Sequence, residues 1–307
     1  MTSNVVYLSG GVGGARLLYG LSRVLAPEQL TAIVNTGDDF DHWGLRICPD
    51  IDTVLYTLAG IGDWERGWGL RGDTTSALAM VERHGGESWF SIGDADLGTH
   101  LMRTRWIAEG MALTGVIARQ ARALGVAVRV LPMTEDRLAT MIETRERRVL
   151  SLQDWLVREH AGPIVRRVRF EGDARPSSHV IAAIEGATLI VIGPSNPYVS
   201  IDPILALPGV RDLVTGRPIV ALSPIVGGRA VKGPLVRMLR ELGGAEASAA
   251  AVARHYGDLL WGMVVERGDE RGFGELPTLA TATVMRTADD SIRLAREMLA
   301  FAESVCR

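Results

Sequence analysis

A glycine-rich turn between a predicted strand and a predicted helix is the feature that most constrains how this chain can fold. The turn, residues 10–16 (GGVGGAR), follows the apolar run 5–8 and precedes residues 17–25, whose leucine and valine side chains recur at helical spacing. Glycines let a backbone come close to an anion, and the unpaired N–H groups of a helix's first turn point at it. The stretch therefore predicts either a phosphate-binding turn or a tight turn without a ligand.

This turn departs from the dinucleotide-binding pattern. In the frame that starts at Gly11 and continues with Gly13, Arg16 replaces the third glycine. An NAD(P)-dependent dehydrogenase would need that glycine and a single acidic residue after the second strand. Arg16 instead adds a cation where phosphate oxygens would lie, which makes a dehydrogenase the weaker alternative.

The composition indicates a globular chain with a sizeable core. Hydrophobic residues make up 47% of the 307 residues, and the formal net charge of -3 provides no general basic field. Nucleic acid and anionic membranes are therefore not expected as partners. The two cysteines, Cys48 and Cys306, form neither a disulfide framework nor a zinc–cysteine site. Because no signal-peptide pattern precedes the first strand, we expect a cytoplasmic protein.

Acidic side chains follow the second predicted strand, residues 31–34. Asp38 and Asp39 lie in the next turn. A helix between two parallel strands makes a right-handed crossover, so the glycine turn and these carboxylates meet at one sheet edge. Asp39 can alternatively lie in a solvated loop.

A second acidic stretch, residues 48–53, contains Asp50 and Asp52. Either carboxylate could cap a helix predicted over residues 53–59. Carboxylates that converge beside a phosphate-binding turn are also what a hard divalent cation requires. The residues alone therefore predict a phosphate-and-metal edge without assigning a role to each acid.

Residues 60–112 form a predicted helical insertion after the second strand. Its first half is rich in glycine and carries Trp64, Trp68 and Trp89. These tryptophans either fill a small core of the insertion or belong to a lid that covers a planar ligand. His100 is interpreted as structural, with an acid–base role as the alternative.

The second half repeats the pattern of a buried strand followed by a donor-rich turn. Residues 187–192 precede a turn with Ser195 and Asn196, and residues 218–222 precede a turn with several glycines and Lys232. We therefore predict one α/β domain over residues 1–307. Its core is a doubly wound, mostly parallel Rossmann-like sheet.

Several motifs, in order along the chain, resemble those of the 2-phospho-L-lactate transferases, a family called CofD, or FbiA in actinobacteria. They are GGVGGAR at 10–16, VNTGDD at 34–39, CPDIDT at 48–53, GPSNP at 193–197 and SPIVGG at 223–228. The resemblance implies a magnesium-dependent enzyme of coenzyme F-420 biosynthesis. It would join the deazaflavin precursor FO to a phosphorylated small acid, delivered as a guanosine diphosphate conjugate, and release GMP. A homodimer is also implied.

The resemblance also implies roles for single residues. Asp38 and Asp50 would be catalytic and bind Mg²⁺, with Asp52 as a further metal ligand and Asp39 beside the substrate. One of these carboxylates could instead accept the proton of the attacking hydroxyl. The other implied binding residues are Gly11, Gly13, Gly14 and Arg16 at the reacting phosphate, Ser195 and Asn196 at the donor phosphates, Ser223, Gly227, Gly228 and Lys232 at the guanosine, and Trp64 and Trp68 at the deazaflavin ring.

One alternative shares this fold: a regulator that binds nucleotide-sugars without turnover. Asp38 and Asp50 together favour an enzyme, because a pure binder needs no pair of metal carboxylates beside the phosphates. The acid stays open between phospholactate, phosphoenolpyruvate and 3-phosphoglycerate.

Overall fold

A computed structural model describes residues 4–230, 233–244 and 246–306 of the chain. The strands are β1 (Val5–Ser9), β2 (Leu30–Val34), β3 (Phe40–His42), β4 (Leu45–Ile47), β5 (Arg129–Pro132), β6 (Ala139–Thr144), β7 (Val149–Ser151), β8 (Val165–Glu171), β9 (Leu189–Ile192), β10 (Ile219–Leu222), β11 (Ile225–Val226), β12 (Arg229–Ala230), β13 (Gly262–Glu266) and β14 (Thr278–Thr281). The helices are α1 (Gly11–Ser22), α2 (Pro49–Leu58), α3 (Ser76–Arg83), α4 (Asp94–Ala108), α5 (Leu113–Ala123), α6 (Ser178–Glu185), α7 (Asp202–Leu205), α8 (Val210–Val214), α9 (Leu235–Gly243), α10 (Ala249–Tyr256) and α11 (Ala288–Val305).

The central sheet has seven strands in the order β14-β13-β10-β9-β1-β2-β5. All of its neighbouring strands are parallel, with Val5 opposite Leu30 on one side of β1 and opposite Leu189 on the other. The predicted doubly wound parallel α/β fold is therefore confirmed. Strand order reverses between β1 and β9, and such a switch point opens a crevice beyond the carboxyl ends of the two strands.

Alternating side chains of the strands build one core on each face of the sheet. Leu8 and Ile192 point into a core closed by α6–α10, whereas Tyr7 and Val191 point into a core with α1, α2, α5 and α11. Strands buried on both faces read as continuous apolar runs, which is why the strands of the parallel sheet carry so much valine and isoleucine. A smaller core around Trp155 lies under the antiparallel sheet β7-β6-β8.

Helix α2 begins earlier than predicted. It starts at Pro49 rather than at residue 53, and proline suits a first helical position because its missing N–H would have no partner there. Cys48 is the N-cap residue, and no side chain in the described part of the chain caps this helix, so the capping interpretation of Asp50 and Asp52 is wrong.

The segment between α2 and α5 contains α3 and α4 and docks on α2. Every residue of α3 is at least partly exposed. Asp73 accepts hydrogen bonds from the backbone N–H groups of Ala95 and Asp96, which ties the preceding loop to the start of α4. Among the described helices, none is long and apolar enough to cross a membrane.

Candidate active site

The glycine turn lies directly beside the first turn of α2. Gly11 has φ +66, a left-handed conformation that glycine adopts without strain, and its N–H donates to Asp50 Oδ1 at 2.6 Å. Asp50 is buried and points at the amino end of α1. One backbone donor of the turn is thus taken by a carboxylate of the protein itself.

Asn35 joins Asp50 to Asp38. Its side-chain nitrogen donates to Asp38 Oδ1 and to Asp50 Oδ2, each at 2.9 Å, and its oxygen accepts from the Gly37 N–H at 2.8 Å. We call Asp38 and Asp50 the carboxylate pair. Sequence reasoning missed Asn35, although it is the first residue after β2 and belongs to the VNTGDD motif.

The carboxylate pair is held in an environment that disfavours two negative charges. Burial raises the pKa of Asp38 well above its ordinary value, and the charges of Asp50 and Asp39 raise it further. Burial also raises the pKa of Asp50, while the hydrogen bonds from Asn35 and Gly11 act in the opposite direction. A cation between the two groups would relieve this cost.

The donor set fits Mg²⁺ bound together with a phosphorylated ligand. Within the described ranges, no three His, Cys, Asp or Glu side chains gather around one point. Mg²⁺ commonly uses only one or two protein carboxylates and takes its other ligands from substrate phosphates and water. The carboxylate pair beside a glycine turn supplies that partial set.

Two further acids of the predicted set lie elsewhere. Asp52 is paired with Arg103, whose guanidinium is buried and contacts both carboxylate oxygens. Residues 50 and 52 are about 200° apart around a helix, so their side chains leave α2 on opposite sides. The structure therefore does not bring Asp52 to the carboxylate pair. Asp39 is paired with Arg46 at 3.4 Å, and burial raises its pKa to about 7.

A cavity of about 360 Å³ opens at the switch point between β1 and β9. Many of the predicted site residues line it together: Gly11, Gly13, Arg16, Asp38, Asp50, Trp68, Ser195, Asn196 and Ser223. The cavity brings together segments that follow five strands of the sheet, namely β1, β2, β9, β10 and β14, as the crevice rule for such sheets requires.

Several of these residues also hold the turns against one another. Ser195 Oγ donates to the Gly10 carbonyl at 2.7 Å, which ties the turn after β9 to the turn after β1. A Cβ on Gly13 would lie 2.6 Å from the Pro194 carbonyl oxygen. Gly14 packs against Ser9 and Ser195 beneath the turn and is not part of the cavity lining.

Arg16 separates this cavity from a neighbouring one of about 370 Å³. Its guanidinium donates to the backbone carbonyls of Met285 and Trp64 and lies 5.0 Å from the centre of the Trp64 ring. The neighbouring cavity is lined by Tyr19, Tyr56, Trp64, Trp68, Arg71 and Arg286, among others. Val12, Arg16 and Trp68 line both cavities, so the two lie side by side.

Three further predicted residues, Gly227, Gly228 and Trp89, are absent from the lining of both cavities. Gly227 and Gly228 form the turn between β11 and β12, and the Gly227 N–H donates to Asp269 at 2.8 Å. Lys232 falls outside the described residues. Trp89 packs with Phe40 and other aromatic side chains of the insertion rather than beside either cavity.

The fold and this cleft together define a doubly wound α/β protein with an acidic, glycine-lined cavity at its switch point. A family model described as 2-phospho-L-lactate transferase CofD matches residues 5–270, and the chain belongs to this family of transferases. The resemblance found in the motifs is thereby confirmed.

Named relatives match over almost the whole chain. A phosphoenolpyruvate transferase of Kitasatospora aureofaciens is 39% identical over 98% of this chain and 98% of its own length. A 2-phospho-L-lactate transferase of Methanocaldococcus jannaschii is 35% identical over 98% of this chain and 99% of its own length. The solved structure of the Bacillus halodurans protein BH3568 has a TM-score of 0.66 at 20% identity, covers 97% of this chain and 99% of its own, and supports the fold alone.

Proposed function

We propose that this chain transfers a phosphorylated small acid from a guanosine diphosphate conjugate to the ribityl hydroxyl of FO and releases GMP, as a cytoplasmic enzyme of coenzyme F-420 biosynthesis. The observation that carries the proposal is the carboxylate pair, joined by Asn35 and placed against the amino end of α1. Family membership supplies the reaction class.

The central cavity suits the donor. The amino end of α1 and Asn196 line it and can bind the diphosphate, because helix-terminal N–H groups and side-chain donors bind phosphate oxygens. Ser195 also lines the cavity, but its hydroxyl proton already goes to the Gly10 carbonyl. A Mg²⁺ ion on the carboxylate pair would neutralise charge on the diphosphate as the anhydride bond breaks. Asp38 and Asp50 would hold that ion, and Asn35 would fix the positions of their two carboxylates.

The chemical step needs little beyond positioning and charge. The FO hydroxyl oxygen forms a bond to the phosphorus that carries the acid, the bond from that phosphorus to the oxygen of GMP breaks, and GMP leaves with both electrons. The hydroxyl proton passes to a carboxylate of the pair or to water held there. Asp38 fits this role because burial and the nearby charges of Asp50 and Asp39 raise its pKa, and a raised pKa makes a carboxylate a better proton acceptor.

The neighbouring cavity suits the planar acceptor. Trp64, Trp68, Tyr19 and Tyr56 offer aromatic faces, and the buried Trp64 Nε1 has no hydrogen-bond partner among the described residues. A ring bound there could stack on a tryptophan and extend its ribityl chain past Arg16 toward the carboxylate pair. Phosphoenolpyruvate is the first candidate for the transferred acid, because relatives named for it are 38–41% identical, against 35% for relatives named for 2-phospho-L-lactate.

One assay tests this proposal. The chain is incubated with FO, Mg²⁺ and each of the three guanylylated acids, and products are identified by mass. We expect one product in which a phosphodiester joins FO to the acid, together with GMP, and we expect Asp38→Asn and Asp50→Asn to lose at least about a hundredfold in turnover. Asp41→Asn is the matched control, because Asp41 lies in β3, shortly after Asp38, but pairs with Arg137 at the surface. Nucleotide binding without product from any acid would support the regulator instead.

A further inference from the structure

A buried ion pair connects the helix that carries Asp50 to the insertion. Arg103 of α4 is fully buried, and its Nη1 donates to Asp52 Oδ2 at 3.0 Å while its Nη2 donates to Asp52 Oδ1. Arg103 Nη1 also donates to the Arg46 carbonyl at 3.3 Å. A buried charge pair of this kind is weak evidence for stability by itself, because desolvation offsets much of the attraction.

The contact between α2 and α4 continues along both helices. His100 Nδ1 lies 3.2 Å from Arg103 Nη1, and His100 Nε2 lies 3.4 Å from Asp96 Oδ1. The Tyr56 hydroxyl donates to Asp96 Oδ1 at 2.6 Å, and Tyr56 is part of the wall of the neighbouring cavity. One line of polar contacts therefore connects the neighbouring cavity with the first turn of α2.

Helix α4 is also hydrogen-bonded to the loop that carries Trp64 and Trp68, which we call the tryptophan loop. Asp73, at the end of the segment that carries Trp64 and Trp68, accepts from the N–H groups of the first turn of α4. Hydrogen bonds therefore connect this loop to α4, and α4 to α2 through Arg103.

We propose that Arg103 is a positioning residue for the metal carboxylate Asp50. The first turn of α2 is held from two sides: Asp50 is bound by Gly11 and Asn35 on one side, and Asp52 is bound by Arg103 on the other. Without the second contact, α2 can rotate or shift and carry the Asp50 carboxylate away from the glycine turn. This inference rests on the proposed function, because it assumes that the carboxylate pair binds a divalent cation.

The test measures Mn²⁺ binding to the free protein by electron paramagnetic resonance. The variant Asp52→Leu/Arg103→Met removes both charges, so no unpaired buried charge is left to unfold the chain. We expect its Mn²⁺ dissociation constant to rise by about tenfold, the lower end of the effect of removing outer supports of a metal site. The matched control is Arg105→Met/Glu109→Gln on the same helix, since that pair is exposed, with side chains 70% and 52% accessible.

The outcomes separate positioning from a purely structural role. A double variant that melts like the unaltered chain and binds Mn²⁺ equally well would overturn the inference. If the double variant does not fold, Arg103→Lys decides: it keeps the charge but loses the two-pronged contact, and its Mn²⁺ affinity should fall while that of the control does not. No Mn²⁺ binding by the unaltered chain would refute the metal site itself, and the inference with it.

Discussion

Asn35 provides the sharpest single perturbation of the site. Replacing it by leucine keeps a similar volume but removes the amide that donates to both Asp38 and Asp50 at 2.9 Å. A hydrogen bond to a charged group contributes about 1.5–3 kcal/mol, so the ionised pair loses about 3–6 kcal/mol of stabilisation before water or protons compensate. The two carboxyl groups should then stay protonated to higher pH, and their affinity for a divalent cation should fall.

The assay is Mn²⁺ titration of the unaltered chain and of Asn35→Leu at pH 7 and pH 8.5. We expect the dissociation constant to rise about 10–100-fold at pH 7, as for other direct supports of metal ligands. Part of the lost Mn²⁺ affinity should be recovered at pH 8.5, because the higher pH removes the protons that compete with the metal for the carboxylates.

Thr36→Val is the matched control for Asn35→Leu. Thr36 is the next residue and is equally buried, but its hydroxyl has no hydrogen-bond partner among the described residues. Its Mn²⁺ affinity should therefore stay unchanged. Equal affinities of Asn35→Leu and Thr36→Val would refute the assignment of Asn35 as the support of the carboxylate pair.

Three other perturbations follow from the same geometry. Without metal, thermal stability should fall as pH rises from about 4 to 8, because a carboxyl group with a raised pKa stabilises the fold only while it is protonated. The pKa of Asp39 is raised from 3.8 to about 7, so this residue alone accounts for a loss of about 4 kcal/mol at most in the free energy of unfolding. Mg²⁺ should restore part of this loss at pH 8, and an unchanged melting curve would contradict the burial of these acids. Gly13→Ala should lower stability by about 1–3 kcal/mol and abolish transfer, because its Cβ would meet the Pro194 carbonyl at 2.6 Å. Gly98→Ala, in open space on α4, should be neutral or stabilising in the same denaturation series. Trp68→Ala should raise the KM for FO with little effect on GDP binding, whereas Trp261→Ala, an exposed tryptophan outside both cavities, should change neither.

The fold could be predicted from the sequence because its signals are local. Runs such as residues 31–34 and 187–192 are mostly apolar, which is typical of strands covered on both faces, and a turn with glycine or proline follows β1, β2, β9 and β10. Asp38 lies at the same sheet edge as the glycine turn because β1 and β2 are parallel neighbours, and that inference needs only the crossover rule.

The errors arose where the answer depends on helix phase or on distant partners. The sequence alone does not separate Asp52 from Asp50 as a metal ligand. Because α2 starts at Pro49, both residues are helical and their side chains lie on opposite sides of the helix. Its partner Arg103 is 51 residues away, beyond the reach of any local pattern. Asn35 at a strand end looks like an ordinary turn residue, and only the structure shows its amide between two carboxylates.

The central claim is that Asp38 and Asp50 together hold a divalent cation beside the glycine turn. A crystal grown with Mn²⁺ and GDP, measured near the manganese absorption edge, tests this claim directly. We expect one strong anomalous peak at about 2.0–2.3 Å from a carboxylate oxygen of each residue and in contact with a phosphate oxygen. A bound nucleotide with its manganese elsewhere, or with Asn35 still bridging two carboxylates that contact no metal, would contradict it.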